Sequence, residues 1–260
     1  MKIISFLSDF GLKDNFVGLV KAIILKINPS VQIVDISHQI SPHDIIEAAF
    51  ILKSSFGFFP KGTIHLAVVD PTVGSRRKAL IVKTNNFYFV APDNGLLSLV
   101  LKEERVIKIV EITNSDYFLK PVSSTFHSRD IFAPIVGYLS RGEKLENFGR
   151  EISNYNILNF PSPIFKKNIL EGEIVYIDWF GNLVTNIDEK TFKSFIRKKS
   201  FKVQAGNFMI DKLSFSYTEG DSSCPICLID SFGYLEISMR EKNASKILRL
   251  DRGDKIKIQL

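Results

Sequence analysis

The chain has 260 residues, 45% of them hydrophobic and 24% charged, and a formal net charge of +6. That is the composition of an ordinary soluble globular protein, long enough for one large or two smaller domains with a sizeable core. Short basic runs such as Lys166-Lys167 and Arg197-Lys198-Lys199 lack interleaved aromatics, and no apolar run approaches the length of a membrane span, so nucleic-acid and membrane roles lose support.

Lys2–Leu7 reads as a first strand, broken at once by Ser8-Asp9, so no export signal is expected. Asp14 or Asn15 is expected to cap a helix with apolar positions Phe16, Leu19, Val20, Ile23, Ile24 and Ile27, ended by Asn28-Pro29. Val31–Ile36 follows as a strand. Ser41-Pro42-His43-Asp44 then offers a cap, a proline at the first helical position and a first-turn acid for a helix running to about Ser55. Ile64–Val69 is short, apolar and β-branched, the pattern of a buried parallel strand. Ala79–Thr84 and Phe87–Ala91 make a hairpin-like pair turned at Asn85-Asn86, and Pro92-Asp93-Asn94-Gly95 opens a short helix, Leu96–Leu101. Val106–Ile112 is another strand. A helix from about Ile131 to Ser140, with Ser128 or Thr125 as its cap, completes the first half.

Composition shifts near Asn156, and Asn159-Phe160-Pro161-Ser162-Pro163 reads as an extended linker. Beyond it strands dominate: Gly172–Ile177, Asn182–Ile187, Phe201–Val203, Leu228–Ile229 with Tyr234–Ser238, and Lys255–Leu260, interrupted by one helix from about Glu189 to Arg197. The expected fold is therefore α/β: an N-terminal three-layer domain with a mostly parallel sheet (1–158) and a smaller C-terminal β-barrel-like domain (159–260). Cys224 and Cys227 form one CxxC inside Ser223–Ile229, which reads as a strand, so a structural role is expected and a metal site is not. Two cysteines without an export signal point to the cytoplasm.

Polar clusters fall at strand-to-loop and loop-to-helix junctions, where open α/β sheets bind ligands. Asp70 ends the apolar strand, and Arg76 and Arg77 follow closely enough to fold back on it and hold it ionised. The same residues also suit an Asp capping its own turn beside solvated arginines. His127 stands just before a helix, whose positive end disfavours its protonation, so a neutral imidazole there can accept or relay a proton; a helix-entry hydrogen bonder is the alternative. His38 and His65 read as structural. Asp178-Trp179-Phe180-Gly181-Asn182 offers a tight turn, a flat ring and an amide, a combination that suits a purine as well as an ordinary hairpin. The patterns GxGxxG, Walker A, GxSxG and HExxH do not occur.

Six ordered motifs across both halves sharpen this picture: Leu7-Ser8-Asp9-Phe10-Gly11, Val69-Asp70-Pro71-Thr72-Val73-Gly74, Ala91-Pro92-Asp93-Asn94-Gly95, Thr125-Phe126-His127-Ser128-Arg129-Asp130, Ile177-Asp178-Trp179-Phe180-Gly181-Asn182 with Thr185-Asn186, and Ser231-Phe232-Gly233-Tyr234-Leu235. With these the chain resembles, over essentially its whole length, the adenosine-forming S-adenosyl-L-methionine (SAM) hydrolases, or SAM hydroxide adenosyltransferases, relatives of the fluorinase and chlorinase. The resemblance implies conversion of SAM and water to adenosine and L-methionine. It also implies a homotrimer whose sites lie between the N-terminal domain of one subunit and the C-terminal domain of its neighbour.

The family's Asp–Arg–His triad falls on Asp70, Arg77 and His127, with Arg76 one residue away in register. Asp9 matches the carboxylate on the ribose hydroxyls. The resemblance further implies that Phe126 and Ser128 flank the ribose and reacting carbon, that Phe180 and Asn182 contact adenine, and that Ser231 with the strand through Glu236 to Met239 closes the far side. On this resemblance SAM is expected as the substrate, and neither a cofactor nor a metal is expected. The halogenase relatives carry tyrosines where Asp70 and His127 stand and a long insertion where this chain has Asn85-Asn86, which favours water as the nucleophile. Ser128 matches a serine near the fluorinase halide, so a SAM-dependent halogenase is one alternative; a SAM- or adenosine-binding module without significant turnover is the other.

Overall fold

In the computed structural model, which describes residues 2–260, the apolar runs of the first half become the strands of one sheet. The elements up to Asn159 are β1 (Ile3–Ser8), α1 (Phe16–Ile27), β2 (Gln32–Ser37), α2 (Ile45–Ser55), β3 (Ile64–Val68), β4 (Ala79–Thr84), β5 (Tyr88–Pro92), α3 (Val100–Glu103), β6 (Val106–Ile112), α4 (Ala133–Ser140), α5 (Leu145–Phe148) and β7 (Gly149–Glu151). The strand order is β2-β1-β3-β5-β4-β6-β7. Pairings from β2 through β5 are parallel and the rest antiparallel, so five strands run one way while β4 and β7 run the other.

Two-residue periodicity in the strands divides their side chains between two cores. Ile4, Phe6, Ile64, Leu66 and Val68 pack with Val20 and Ile24 of α1 and Ile135 and Val136 of α4. Leu7, Ala67, Leu80, Val82 and Phe89 pack on the opposite face with Ala48 and Leu52 of α2. Both faces are covered, which gives the three layers and explains why β3 has no polar alternation beyond one histidine.

Several local expectations shift. The second helix begins at Ile45, not at Pro42, because His43 takes a left-handed backbone (φ 69°) and Asp44 accepts the Glu47 amide as the true cap. Residues Ser128–Phe132 form a π-helical turn ahead of α4, with no capping hydrogen bond from Thr125 or Ser128. The short helix expected at Leu96–Leu101 is displaced to Val100–Glu103. Asn15 precedes α1 without a side-chain cap.

The second unit, Phe160–Leu260, holds β8 (Ile164–Lys166), β9 (Ile169–Ile177), β10 (Leu183–Asp188), α6 (Glu189–Ile196), β11 (Lys202–Ala205), β12 (Phe208–Ile210), β13 (Ile226–Ile229), β14 (Tyr234–Ser238), α7 (Ala244–Leu248) and β15 (Lys255–Gln259). Its strands form one antiparallel, nearly closed barrel-shaped sheet ordered β12-β11-β15-β9-β10-β14-β13, with β8 on β9. Phe192 and Phe195 of α6 and Ala244 and Leu248 of α7 plug its core. Strand β13 begins only at Ile226, so Cys227 is a buried core thiol while Cys224 sits exposed in the preceding loop. Among the described residues no helix is long and apolar enough to cross a membrane.

Candidate active site

Strands β1 and β3 are adjacent and parallel, with Ser8 opposite Val68. The residues that follow them, Asp9 and Asp70, therefore leave the sheet along the same edge, the carboxyl edge where a doubly covered sheet opens to ligands. The loop from Asp70 to Lys78 then folds back over that edge. Gly74 makes this possible: its φ is +81°, and a Cβ there would lie 2.4 Å from the Ser124 carbonyl oxygen. The close approach lays the Asp70 loop against the segment that carries His127.

The result is a continuous set of hydrogen bonds. Arg77 Nε donates to Asp70 Oδ2 at 2.8 Å and a terminal Arg77 nitrogen donates to the same oxygen. That terminal nitrogen also donates to His127 Nδ1 at 2.9 Å. Both members of the ion pair are buried, their side chains 7% and 6% exposed for Arg77 and Asp70. The guanidinium also lies over the Phe132 ring, 5.3 Å from its centroid. Arg76 is exposed, so the inward arginine of the pair is Arg77. The two lie in a loop, where the alternation of a strand gives no guide.

Because a guanidinium only donates, His127 Nδ1 must be an acceptor, and its proton sits on Nε2. Burial, reinforced by the Arg77 charge, holds the imidazole below its usual range, so it is neutral at pH 7. These two causes, rather than the helix end invoked from sequence, are what lower it. The Ser128–Phe132 π-turn begins at the next residue, a rare geometry that recurs at functional sites.

These groups line a cleft of about 240 Å³ in the N-terminal unit. Asp9, Asp70, Phe126, His127 and Ser128 all face it, with Phe10 and Phe16 as apolar walls. Phe10, Phe16 and Phe126 meet edge to face, their centroids 5.2 to 6.0 Å apart. The Asp9 carboxylate accepts the His43 amide at 2.9 Å, which ties the left-handed turn before α2 to the site. This contact involves a backbone amide, so no side-chain signal in the sequence could have revealed it.

A second cleft, of about 670 Å³, lies wholly in the C-terminal unit and gathers Phe180, Asn182, Ser231, Glu236 and Met239. The turn before β10 holds Asn182: its amide and its Nδ2 donate to the two Asp178 oxygens at 2.8 and 2.9 Å. Gly181 has φ +87°, and a Cβ would run into the Asn243 carboxamide at 2.1 Å, so the turn requires glycine. Phe180 is left 74% exposed. Glu236 is buried at 3% exposure and accepts from the Tyr217 hydroxyl at 3.0 Å and from Ser238. Burial pushes its carboxyl above the usual range, against those two hydrogen bonds, and burial likewise raises the Tyr217 phenol. Tyr217 and Asp230 line this cleft and were not singled out from sequence, and Asp178, quoted only as part of the turn motif, also lines it; Tyr217 opens a three-residue 3-10 turn too short to leave a periodic signal.

The predicted residues thus form two groups, each complete within its own unit. Among the described residues no cluster of three or more His, Cys, Asp or Glu side chains is arranged to hold a metal ion.

Residues 4–149 match the model of the SAM hydroxide adenosyltransferase N-terminal domain and residues 172–257 that of its C-terminal domain. The chain belongs to this family. It is 39% identical over 99% of its length to a protein of Methanocaldococcus jannaschii named (R)-S-adenosyl-L-methionine hydrolase, covering 96% of that protein. A fluorinase of Actinoplanes sp. is more distant, at 28% identity with 91% of this chain and 90% of the relative covered. The crystal structure of an uncharacterized conserved protein from Thermotoga maritima superposes with a TM-score of 0.91 at 38% identity, covering 99% of this chain and all of that one.

Proposed function

We propose that the chain hydrolyses S-adenosyl-L-methionine to adenosine and L-methionine. The observation that carries this reading is the Asp70–Arg77–His127 set beside a cleft, its ion pair buried, within a family whose relatives across the full length are named for SAM hydrolysis. In the reaction the oxygen of a water attacks C5′ of the ribose in line with the sulfonium. The C5′–S bond breaks, its electron pair stays on sulfur, and methionine leaves as a neutral thioether. The second product, adenosine, keeps the water oxygen as its 5′-hydroxyl, and one proton is released.

Asp70 orients the water and takes its proton. Arg77 fixes Asp70 through two N–H groups on one oxygen, and the other carboxylate oxygen contacts the Thr72 hydroxyl at 3.3 Å. Neutral His127, carrying its proton on Nε2, completes the hydrogen-bond set around the water. Alignment of water and carbon supplies much of the acceleration. A carboxylate at the nucleophile's position repels a halide and tolerates a neutral water, which sets the halogenase reading second.

Asp9 holds the ribose hydroxyls, while Phe126 and Ser128 flank the sugar and the reacting carbon. In the second cleft Phe180 stacks on the adenine, Asn182 reads its edge, and Ser231, Glu236 and Met239 close the far side. A homotrimer, joining the first cleft of each subunit to the second of its neighbour, completes a site at each of its three interfaces. SAM is the substrate and the chemistry needs no cofactor. A cytoplasmic location fits a substrate made inside cells.

Incubating the full chain with SAM and separating products by chromatography tests this reading. Adenosine and methionine in equal amounts are expected, with chloride or fluoride leaving the yield unchanged. A halogenated nucleoside, or tight SAM binding without products, overturns it. A monomer at assay concentration refutes the shared site.

A further inference from the structure

Behind the Asp9 loop lies a chain of polar contacts that the proposed chemistry does not use. His38 follows β2 and is almost fully buried, 3% exposed, with its ring edge-on to Phe6 at 4.6 Å. Its Nδ1 lies 2.7 Å from the hydroxyl of Ser8, itself wholly buried. Its Nε2 lies 3.1 Å from Asp35 Oδ1, and Lys21 holds the other Asp35 oxygen at 2.6 Å on the surface. With the Asp35 carboxylate beside it, though out of line for a hydrogen bond, Nε2 is the nitrogen whose proton is electrostatically favoured, which leaves Nδ1 to accept from Ser8. The Ser8 oxygen is then free to accept the Phe10 amide, a long contact of 3.4 Å. The main chain of the same histidine closes the loop from the other side, the His38 carbonyl accepting the Gly11 amide at 2.7 Å.

Asp9 therefore sits inside a four-residue turn, Ser8 to Gly11, whose two ends are both tied to one residue. We propose that His38, braced by Asp35, is a positioning residue that holds the Asp9 carboxylate in place for the sugar diol of the substrate. The inference rests on the reading of Asp9 as the ribose-binding carboxylate. Three observations support a positioning role over a purely structural one. The imidazole contacts no ligand cleft itself, its neutral form is held by burial, and its one hydrogen bond, to Ser8, enters the turn that carries Asp9, whose other end the His38 carbonyl holds. A wholly apolar residue would fill the same space beside Phe6 but leave the buried Ser8 hydroxyl without its acceptor.

The test compares binding of adenosine and 2′,3′-dideoxyadenosine to the full chain by calorimetry. A charged hydrogen bond to a hydroxyl is worth about tenfold or more in affinity, so the unaltered chain should prefer adenosine by at least that factor. In His38→Phe and in the smaller change Ser8→Ala, the preference should fall to about twofold or less, adenosine weakening while the dideoxy analogue is bound as before. His38→Asn, whose amide oxygen can take the place of Nδ1, should recover most of the preference. With SAM as substrate the Ser8→Ala variant should raise KM and leave kcat within about threefold. If the unaltered chain does not distinguish the two nucleosides, the ribose role of Asp9 fails. If it does and both Ser8→Ala and His38→Phe keep the preference, the positioning role of His38 fails. A parallel loss of both ligands, or no recovery in His38→Asn, marks a structural role and also overturns it.

Discussion

Replacing Arg77 with methionine removes the guanidinium while keeping a long apolar stem of similar reach. Asp70 then loses both N–H donors on Oδ2, one of them at 2.8 Å, and keeps the Thr72 hydroxyl at 3.3 Å on the other oxygen. With the Asp70 side chain 6% exposed, water reaches it only from the cleft and makes up little of the loss. Breaking a buried ion pair by removing one partner costs about 3–5 kcal/mol, more than an exposed pair contributes. At about 2–4 °C per kcal/mol for a unit of this size, the thermal transition of the N-terminal unit should fall by roughly 6–20 °C.

The double variant Asp70→Asn/Arg77→Met removes the stranded charge and should recover most of that loss, whereas Asp70→Asn alone should not be the more stable of the pair by the same margin. Thermal and urea unfolding of the four proteins measure this coupling directly. Formation of adenosine from SAM should drop by about 10²-fold or more in every variant, because each removes the base or its orientation. An Arg77→Met variant destabilised by less than about 1 kcal/mol would refute the reasoning, since the pair would then be solvated in solution.

Three further outcomes follow from particular residues. His127 is held below its ordinary value of 6.5, so kcat/KM should decline only as pH falls beneath that value; an acid limb centred above pH 7 contradicts the neutral-imidazole assignment. His65 hydrogen-bonds Ser5 at 2.6 Å and stacks on Phe89 in a phenylalanine-rich core, where burial drives its pKa to about 3 from an ordinary 6.5. The unfolded chain binds this proton first, so the resulting stability is present above pH 6.5 and is lost as pH falls toward 3, by about 5 kcal/mol at most. Urea unfolding at several pH values should show this decline, and the pair Ser5→Ala with His65→Leu should flatten it. Finally, Phe180→Ala should leave the melting temperature within about a degree or two, given 74% exposure, yet weaken adenosine about tenfold or more if the ring stacks on the base. Unchanged affinity in a titration would remove Phe180 from the site.

Much of this protein is written locally. The apolar run Ile64–Val69 became β3 because a strand covered on both faces admits little polarity, and the alternation of its neighbours assigned each side chain to one of two cores. The helix expected from about Glu189 to Arg197 formed as α6, Glu189–Ile196, with the Asp188 side chain accepting the Thr191 amide at its start. The clustering of Asp9, Asp70 and His127 at junctions was also legible, since parallel strands deliver their carboxyl ends to one edge. Choosing between Arg76 and Arg77 was not, because the two stand in a loop whose path is set by Gly74 passing Ser124.

The same limit explains the start of α2. Ser41-Pro42 is a sound local helix signal, overridden by a contact between the His43 amide and the Asp9 carboxylate, 34 residues away. Tyr217, the buried Glu236 and the brace of His38 on Ser8 likewise depend on partners far along the chain. Sequence periodicity and turn chemistry are short-range and determined the strands, the helices and the edge where chemistry gathers. Which side chains meet there, and with what charge, depends on burial and on long-range partners, and only the tertiary structure decided that.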